Sequence, residues 1–374
     1  MDKKNTIKQK KRKRLLGDSR IWILTSVSIV LLAVIVSMLS VFLHRPDVDD
    51  DPPFTDAPSS DLPTATDDAY VRKDGYYTFL LAGMDDVSMS TDVLMLASLD
   101  TKSGEVHVVQ IPRDTFINKT VGGYKNISRV NGIFNVEYHY QRNQGESVAN
   151  AKKLAMNTLK KTLETTLCVK IDEYVLIDTN GFCAIIDAIG GIYYDVPRDM
   201  FYEDPEQDLY IHLEKGYQHL DGKACEGLIR YRAGYATGDI GRVDLRENFL
   251  VEAFRQVKEN LSMTKLIGLI PTFFDHVKTS MSTNDMIAYA KKAYAVDAEH
   301  IYVRTLGGSV IQNPNTGAWI YYCLNKTAAL ADVNECLNVY EDDIDASLFD
   351  KKGFFTDTEN ANNAYIHEYY SSEP

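Results

Sequence analysis

Between residues 75 and 350 the apolar positions fall into short blocks and helical stripes. Residues 76–84 (YYTFLLAGM), 93–99 (VLMLASL) and 106–111 (VHVVQI) are compact apolar runs bounded by Gly or Pro, the pattern of buried strands. Gly104 punctuates the second and third runs, which predicts a hairpin. Val148, Ala151, Ala155, Leu159 and Leu163 then recur at helical spacing over 147–167. Residues 174–177 and 192–196 read as strands, and 181–189 as a helix ended by Gly190-Gly191. Asp239 is placed to cap a long helix whose apolar face is Val243, Leu250, Phe254, Val257 and Leu261. Further helices are predicted at 264–276, 283–295 and 326–340, with a strand at 301–305. Such mixing over residues 75–345 predicts one α/β domain, a three-layer α-β-α arrangement of a mixed sheet covered by helices. A polar tail follows at 346–374.

A different pattern precedes this domain. Residues 21–43 (IWILTSVSIVLLAVIVSMLSVFL) hold no charge, and about 20 apolar residues suffice to cross a bilayer as a helix. Residues 1–20 before it carry nine Lys/Arg and two Asp. Residues 44–70 after it carry eight Asp and only Arg45. The positive-inside rule then places residues 1–20 in the cytoplasm, a transmembrane helix at 21–43, and the rest outside the cell membrane as a single-pass protein. A cleaved signal peptide is the rival, but its apolar region is shorter, about 7–15 residues. The Pro- and Asp-rich stretch 44–74 cannot bury enough apolar surface to fold and reads as a disordered, extended stem.

The net charge of −13 argues against nucleic acid as a partner. Five cysteines at positions 168, 183, 225, 323 and 336 match no zinc or redox spacing and read mainly as small buried hydrophobes, with room for one disulfide. The chain lacks HExxH, GxxxxGK[ST], GxSxG and GxGxxG, so zincin, nucleotide-loop, serine-hydrolase and dinucleotide readings lose their usual support.

Several polar segments could carry chemistry. Asp85 lies just past the first predicted strand and Asp92 just before the second. Two carboxylates at adjacent strand ends can hold Mg²⁺, a hard cation that takes oxygen ligands. Both are equally at home as turn residues. Arg113, fixed behind Pro112, offers a planar fork for phosphate oxygens, or else a surface pair with Asp114. In an extended segment Arg230 and Arg232 point to one face, and Arg242 lies in the first turn of the helix that Asp239 caps. Together they read as an anion site or a solvated charged loop. Arg129, in a loop with Lys125, adds another cation.

The order of these segments resembles the LytR–CpsA–Psr (LCP) family. LAGMD at 81–85 resembles that family's LLGxD, STD at 90–92 its RSDT, and IPRD at 111–114 its IPRD. RVN at 129–131, DAIGGI at 187–192, LDGKA at 220–224, RYR at 230–232 and DIGR at 239–242 follow in the family's order, across about residues 75–260. The resemblance implies a membrane-anchored transferase on the outer face of Gram-positive cells. Such an enzyme moves a glycan phosphate from a polyprenyl-pyrophosphate carrier to peptidoglycan, with pyrophosphate cleavage as a side activity. It further implies Mg²⁺ on Asp85 and Asp92, and pyrophosphate neutralised by Arg113, Arg129, Arg230, Arg232 and Arg242. A carboxylate, Asp85 or Asp239, would take the acceptor's proton. An apolar tunnel for the lipid would be walled by residues such as Phe249, Phe254, Leu266, Phe273 and Phe274. Where the family carries arginines, this chain has Val87, Ser90 and Leu245. That departure keeps a second reading open, a non-catalytic or lipid-pyrophosphate-binding scaffold of the envelope on the same fold.

Overall fold

The computed structural model describes residues 71–85, 89–121, 124–204, 209–231, 240–312 and 319–349. The predicted membrane span 21–43, its basic flank and nearly all of the stem and tail lie outside these residues. So do Arg232 and Asp239, and so does the side chain of Arg242. Among the described residues, no helix is long and apolar enough to cross a membrane.

The chain divides into two compact units. Of the first, Met1–Asp47 with Ser282–Tyr289, the described part is the start of a helix. There the Ser282 hydroxyl accepts the Asp285 N–H at 3.2 Å. The second unit, Val48–Met281 with Ala290–Pro374, holds the sheet.

That sheet opens with β1 (Tyr76–Asp85), β2 (Ser90–Asp100) and β3 (Glu105–Gln110), an antiparallel meander. Its β2–β3 turn uses Gly104 at φ +73°. The hairpin β4 (Phe116–Val121) and β5 (Tyr124–Arg129) leads into α1 (Gly132–Asn143) and α2 (Val148–Leu167). Next come β6 (Glu173–Asp178) and α3 (Thr179–Ile189). A ribbon follows: β7 (Ile192–Val196), β8 (Met200–Asp204), β9 (Leu209–Leu213) and β10 (Gly216–Leu220), with β8 paired to β9 and β7 to β10. Helices α4 (Gly222–Arg230), α5 (Ile240–Asn260), α6 (Met263–Gly268) and α7 (Ile270–His276) precede β11 (Val277–Thr279). The chain continues through α8 (Thr283–Ala295), β12 (Ile301–Thr305), the hairpin β13 (Gly308–Gln312) and β14 (Trp319–Leu324), and α9 (Lys326–Cys336).

The central sheet runs β11-β6-β1-β2-β3-β12. It is mixed, because β6 and β12 join parallel to β1 and β3 while the other neighbours are antiparallel. Strand alternation sends residues to opposite faces. One face (Leu80, Ala82, Leu94, Leu96, Val109) packs on α1, α2 and α9 through Phe134, Leu159 and Val333. Each buried Leu, Val or Phe side chain among them contributes about 1.5–3 kcal/mol of apolar burial. Facing the other side, Leu81, Met95, Val175 and Ile177 look toward Phe182 of α3, Ile229 of α4 and Phe249 of α5. The three-layer α/β architecture read from the sequence is thus the observed one.

Local signals set most boundaries. Ser147 accepts the Asn150 N–H and starts α2, Asp178 accepts the Gly181 N–H and starts α3, and Gly190 in the left-handed region ends α3. Three expectations change. The helix expected at 264–276 is two, α6 and α7, meeting at Leu269, with Pro271 in the opening turn of α7. Proline has no N–H to donate back, so it suits a helix start and not a helix interior. The last helix stops at Cys336 and not Tyr340, because the chain beyond it pairs with the start of the domain: Lys73 N–H donates to Val339 O and Glu341 N–H to Val71 O. The segment holding Arg230 is the end of a helix, α4. All five cysteines are buried and none is joined in a disulfide.

Candidate active site

A cavity of about 620 Å³ lies between the second face of the sheet and helices α3, α4 and α5. Its walls are largely apolar: Leu81, Met95, Ile177, Phe182, Ile229 and Phe249. Asp85, Asp92, Arg113, Asn131, Glu226 and Arg230 add charge and polarity to the same wall. An apolar chamber with a few convergent polar groups is the usual form of a ligand site.

Asp85 is the last residue of β1, at the edge its strand presents to the cavity. Asp92 reaches the cavity through an irregularity. Gly83 pairs with Val93 but Met84 pairs with Thr91, so Asp92 is the extra residue of a β-bulge. Both Asp92 and Val93 border the cavity, which strict alternation would not allow. Asp92 therefore sits inside β2 and not before it. Gly83 belongs to the same device, since a Cβ there would lie 3.0 Å from the Cβ of Val93.

Arg113 Nη1 donates to Asp92 Oδ1 at 3.1 Å, and the Ser90 hydroxyl donates to the same oxygen at 3.2 Å. Arg113 Nε lies 3.6 Å from Asp114 Oδ2, and Arg129 Nε lies 3.4 Å from Asp114 Oδ1. Arg129 ends β5 in a hairpin, not a loop, and its guanidinium stands 5.4 Å over the Tyr321 ring. It is absent from the cavity lining and connects to Arg113 through Asp114. The structure thus brings Asp85, Asp92, Arg113 and Arg230 to one cavity and leaves Arg129 behind it. Asp239, Arg232 and the Arg242 side chain lie outside the described residues. Of the five expected wall residues only Phe249 lines the cavity, packed edge-to-face on Tyr194 at 5.7 Å.

Arg230 is the last residue of α4, which Asp221 caps by accepting the Ala224 N–H. A cation at a helix C-terminus is favoured by the dipole. Arg230 Nη1 donates to Glu226 Oε1 at 2.7 Å, and Lys223 Nζ donates to Glu226 Oε2 at 3.0 Å. Burial works to raise the Glu226 carboxyl, but N–H donation from Lys223 and Arg230 outweighs it and holds the group below the usual carboxylate range. Sequence reasoning missed Glu226, Asp178 and Phe182 at this wall. Glu226 was findable as the residue three after Lys223 and four before Arg230, once 222–230 is read as a helix.

Among the described residues, no group of three or more His, Cys, Asp or Glu could hold a metal. Mg²⁺, however, is commonly bound by one or two carboxylates with substrate phosphates completing its shell. The hard oxygens of Asp85 and Asp92, bordering one cavity, fit that pattern.

The LytR_cpsA_psr family pattern matches residues 53–336. An uncharacterized protein of Staphylococcus aureus (strain NCTC 8325) is 25% identical over 277 residues, 74% of this chain. The polyisoprenyl-teichoic acid–peptidoglycan teichoic acid transferase TagV of Bacillus subtilis (strain 168) is 23% identical over 273 residues, 71% of this chain. The matches span 61% and 65% of those relatives' own lengths. The crystal structure of B. subtilis TagV shares the fold with a TM-score of 0.55 at 22% identity, covering 69% of this chain and 94% of that one. With motifs, fold and family pattern falling on the same stretch, the chain belongs to the LytR_cpsA_psr family.

Proposed function

We propose that this chain is a membrane-anchored transferase that moves a glycan phosphate from a polyprenyl-pyrophosphate carrier to peptidoglycan. The observation that carries the reading is the joint presence of an apolar chamber and of Asp85, Asp92, Arg113 and Arg230 on its wall. A polyprenyl tail fits the first and a pyrophosphate the second. The likeness to TagV, a polyisoprenyl-teichoic acid–peptidoglycan teichoic acid transferase, supports the same class.

In this reading the tail lies against Leu81, Ile177, Phe182 and Phe249, and the pyrophosphate meets Arg113 and Arg230. An acceptor hydroxyl attacks the phosphorus that bears the glycan. The bond from that phosphorus to the bridging oxygen breaks, leaving a glycan phosphodiester on the acceptor and polyprenyl phosphate as leaving group. The hydroxyl proton passes to a carboxylate, Asp85 or Asp239. Arg113 is set in place by Asp92 and Asp114 before substrate arrives, and such pre-set charge is the main protein contribution to phosphoryl transfer. Mg²⁺, held by Asp85 and Asp92, would supply further positive charge for the pyrophosphate oxygens. Residues 21–43 anchor the chain, with residues 1–20 in the cytoplasm and the catalytic domain outside.

The test uses the purified full chain, a short polyprenyl-pyrophosphate glycan, Mg²⁺ and peptidoglycan oligomers, with polyprenyl phosphate followed by mass spectrometry. Release that requires Arg113 and is matched by glycan phosphate on the acceptor supports the transferase. Retention of the lipid without release points to a scaffold that binds lipid pyrophosphate.

A further inference from the structure

Glu226 is 3% exposed, yet it is a carboxylate on the wall of a cavity that we read as taking an anion. An unmatched negative charge there would repel that anion and would itself be costly to bury. The carboxylate is instead gripped from both sides. Arg230 Nη1 donates to one oxygen, while Lys223 Nζ and the Cys183 thiol, at 3.5 Å, share the other. Cys183 belongs to α3, so the grip joins α3 to α4. The two cations differ in place. Lys223 has a side chain 64% exposed and does not border the cavity, whereas Arg230, 33% exposed, does.

Helix ion pairs elsewhere show the contrast. On α5, Arg255 pairs with Glu252 and Glu259, whose side chains are 25% and 54% exposed. Such pairs are screened by water and hold their partners weakly. The Glu226 side chain is 5% exposed and fastened at both oxygens, so its position is fixed by packing. An arginine tied to it gives up much of its rotamer freedom before a ligand arrives, and ordering done in advance is not charged against binding.

We propose that Glu226 is a positioning residue, fixing the Arg230 guanidinium at the cavity wall so that it receives a phosphate oxygen without reorganising. The inference rests on the reading of the cavity as a lipid-pyrophosphate site, and its test separates the two. Geranyl pyrophosphate is titrated into the full chain by calorimetry, for wild type, Glu226→Gln, Arg230→Ala and the double variant. Positioning predicts about tenfold weaker binding in Glu226→Gln, and no further weakening when that change is added to Arg230→Ala. A purely structural role would weaken binding equally in both backgrounds, and tighter binding in Glu226→Gln would make Glu226 a repulsive charge; either overturns the proposal, as does no change. Glu226→Asp, which keeps the charge but withdraws it by one methylene, enters the same cycle should Glu226→Gln fail to fold. If the wild-type chain does not bind geranyl pyrophosphate, the lipid-pyrophosphate reading fails. The positioning role is then decided by phenylglyoxal modification of Arg230, located by peptide mass spectrometry. Faster modification in Glu226→Gln supports it, and an unchanged rate overturns it.

Discussion

Arg113 stands between two carboxylates, Asp92 and Asp114, and borders the cavity. Its side chain is 29% exposed, so a ligand can still reach it. Replacing it with Ala is expected to lower the rate of polyprenyl phosphate release by about 10²–10³, the usual effect of removing one pre-set electrostatic donor. Arg113→Lys should recover part of that loss, since it restores charge but not the fork. Glu226 gives a second expectation. Its carboxyl is held below the usual range in the fold, so its contribution to stability is fully present above the unfolded value of about 4.3. That contribution is lost as pH falls through the lower folded value. Melting temperature should therefore fall below about pH 4.3, and less steeply in Glu226→Gln than in the wild type. Calorimetric scans across that window check it. Asp85, Asp92 and Arg113 were legible in the sequence, because carboxylates and an arginine at strand ends stand out from apolar runs. Glu226 was not, because its pairing with Lys223 and Arg230 shows only once residues 222–230 are known to be a helix, the element the sequence reading missed.

At the scale of elements, the β-bulge at Asp92 brings that carboxylate to the cavity wall beside Val93. No periodicity announces it, since an extra residue becomes visible only against the partner strand that counts one fewer. The start of α3 shows the same dependence on a neighbour. A Cβ on Gly181 would lie 2.5 Å from the carbonyl oxygen of His276, the last residue of α7. Gly181→Ala is thus expected to destabilise the fold by about 1–3 kcal/mol through overpacking. The check is chemical denaturation, with a shifted midpoint and an unchanged slope as the expected outcome. Helices α2 and α3 and strands β1 to β3 were legible from period and caps. The ribbon β7–β10 was only partly legible. Its inward residues, such as Tyr194 and Ile211, alternate with exposed Tyr193 and Tyr210, and aromatic residues on both faces blur the period-2 signal. Helix α4 was hidden by its length of nine residues and its two glycines, Gly222 and Gly227.

At the scale of the whole molecule, the uncharged stretch 21–43 and its opposite flanks bear on where the protein works. The full chain is expected to stay in the membrane pellet after alkaline carbonate extraction, and a chain lacking residues 1–43 to leave it. Protease added to intact cells should digest the C-terminal domain and spare residues 1–20. Fractionation followed by immunoblotting reads both. What the sequence determined by itself was local or additive. It defined the apolar runs that become strands, the caps that start helices, the charge asymmetry around 21–43, and the ordered motifs that mark the family. Each of these depends on residues close together in the chain. Only the tertiary structure decided which charges share a cavity. It placed Arg230 with Asp85 and Arg113 across some 120–145 residues of chain, and it left Arg129, sixteen residues from Arg113, on the far side of Asp114. It also set the bulge register and buried Glu226. Those outcomes depend on sheet pairing and helix packing between segments remote in sequence, and no window along the chain contains that information.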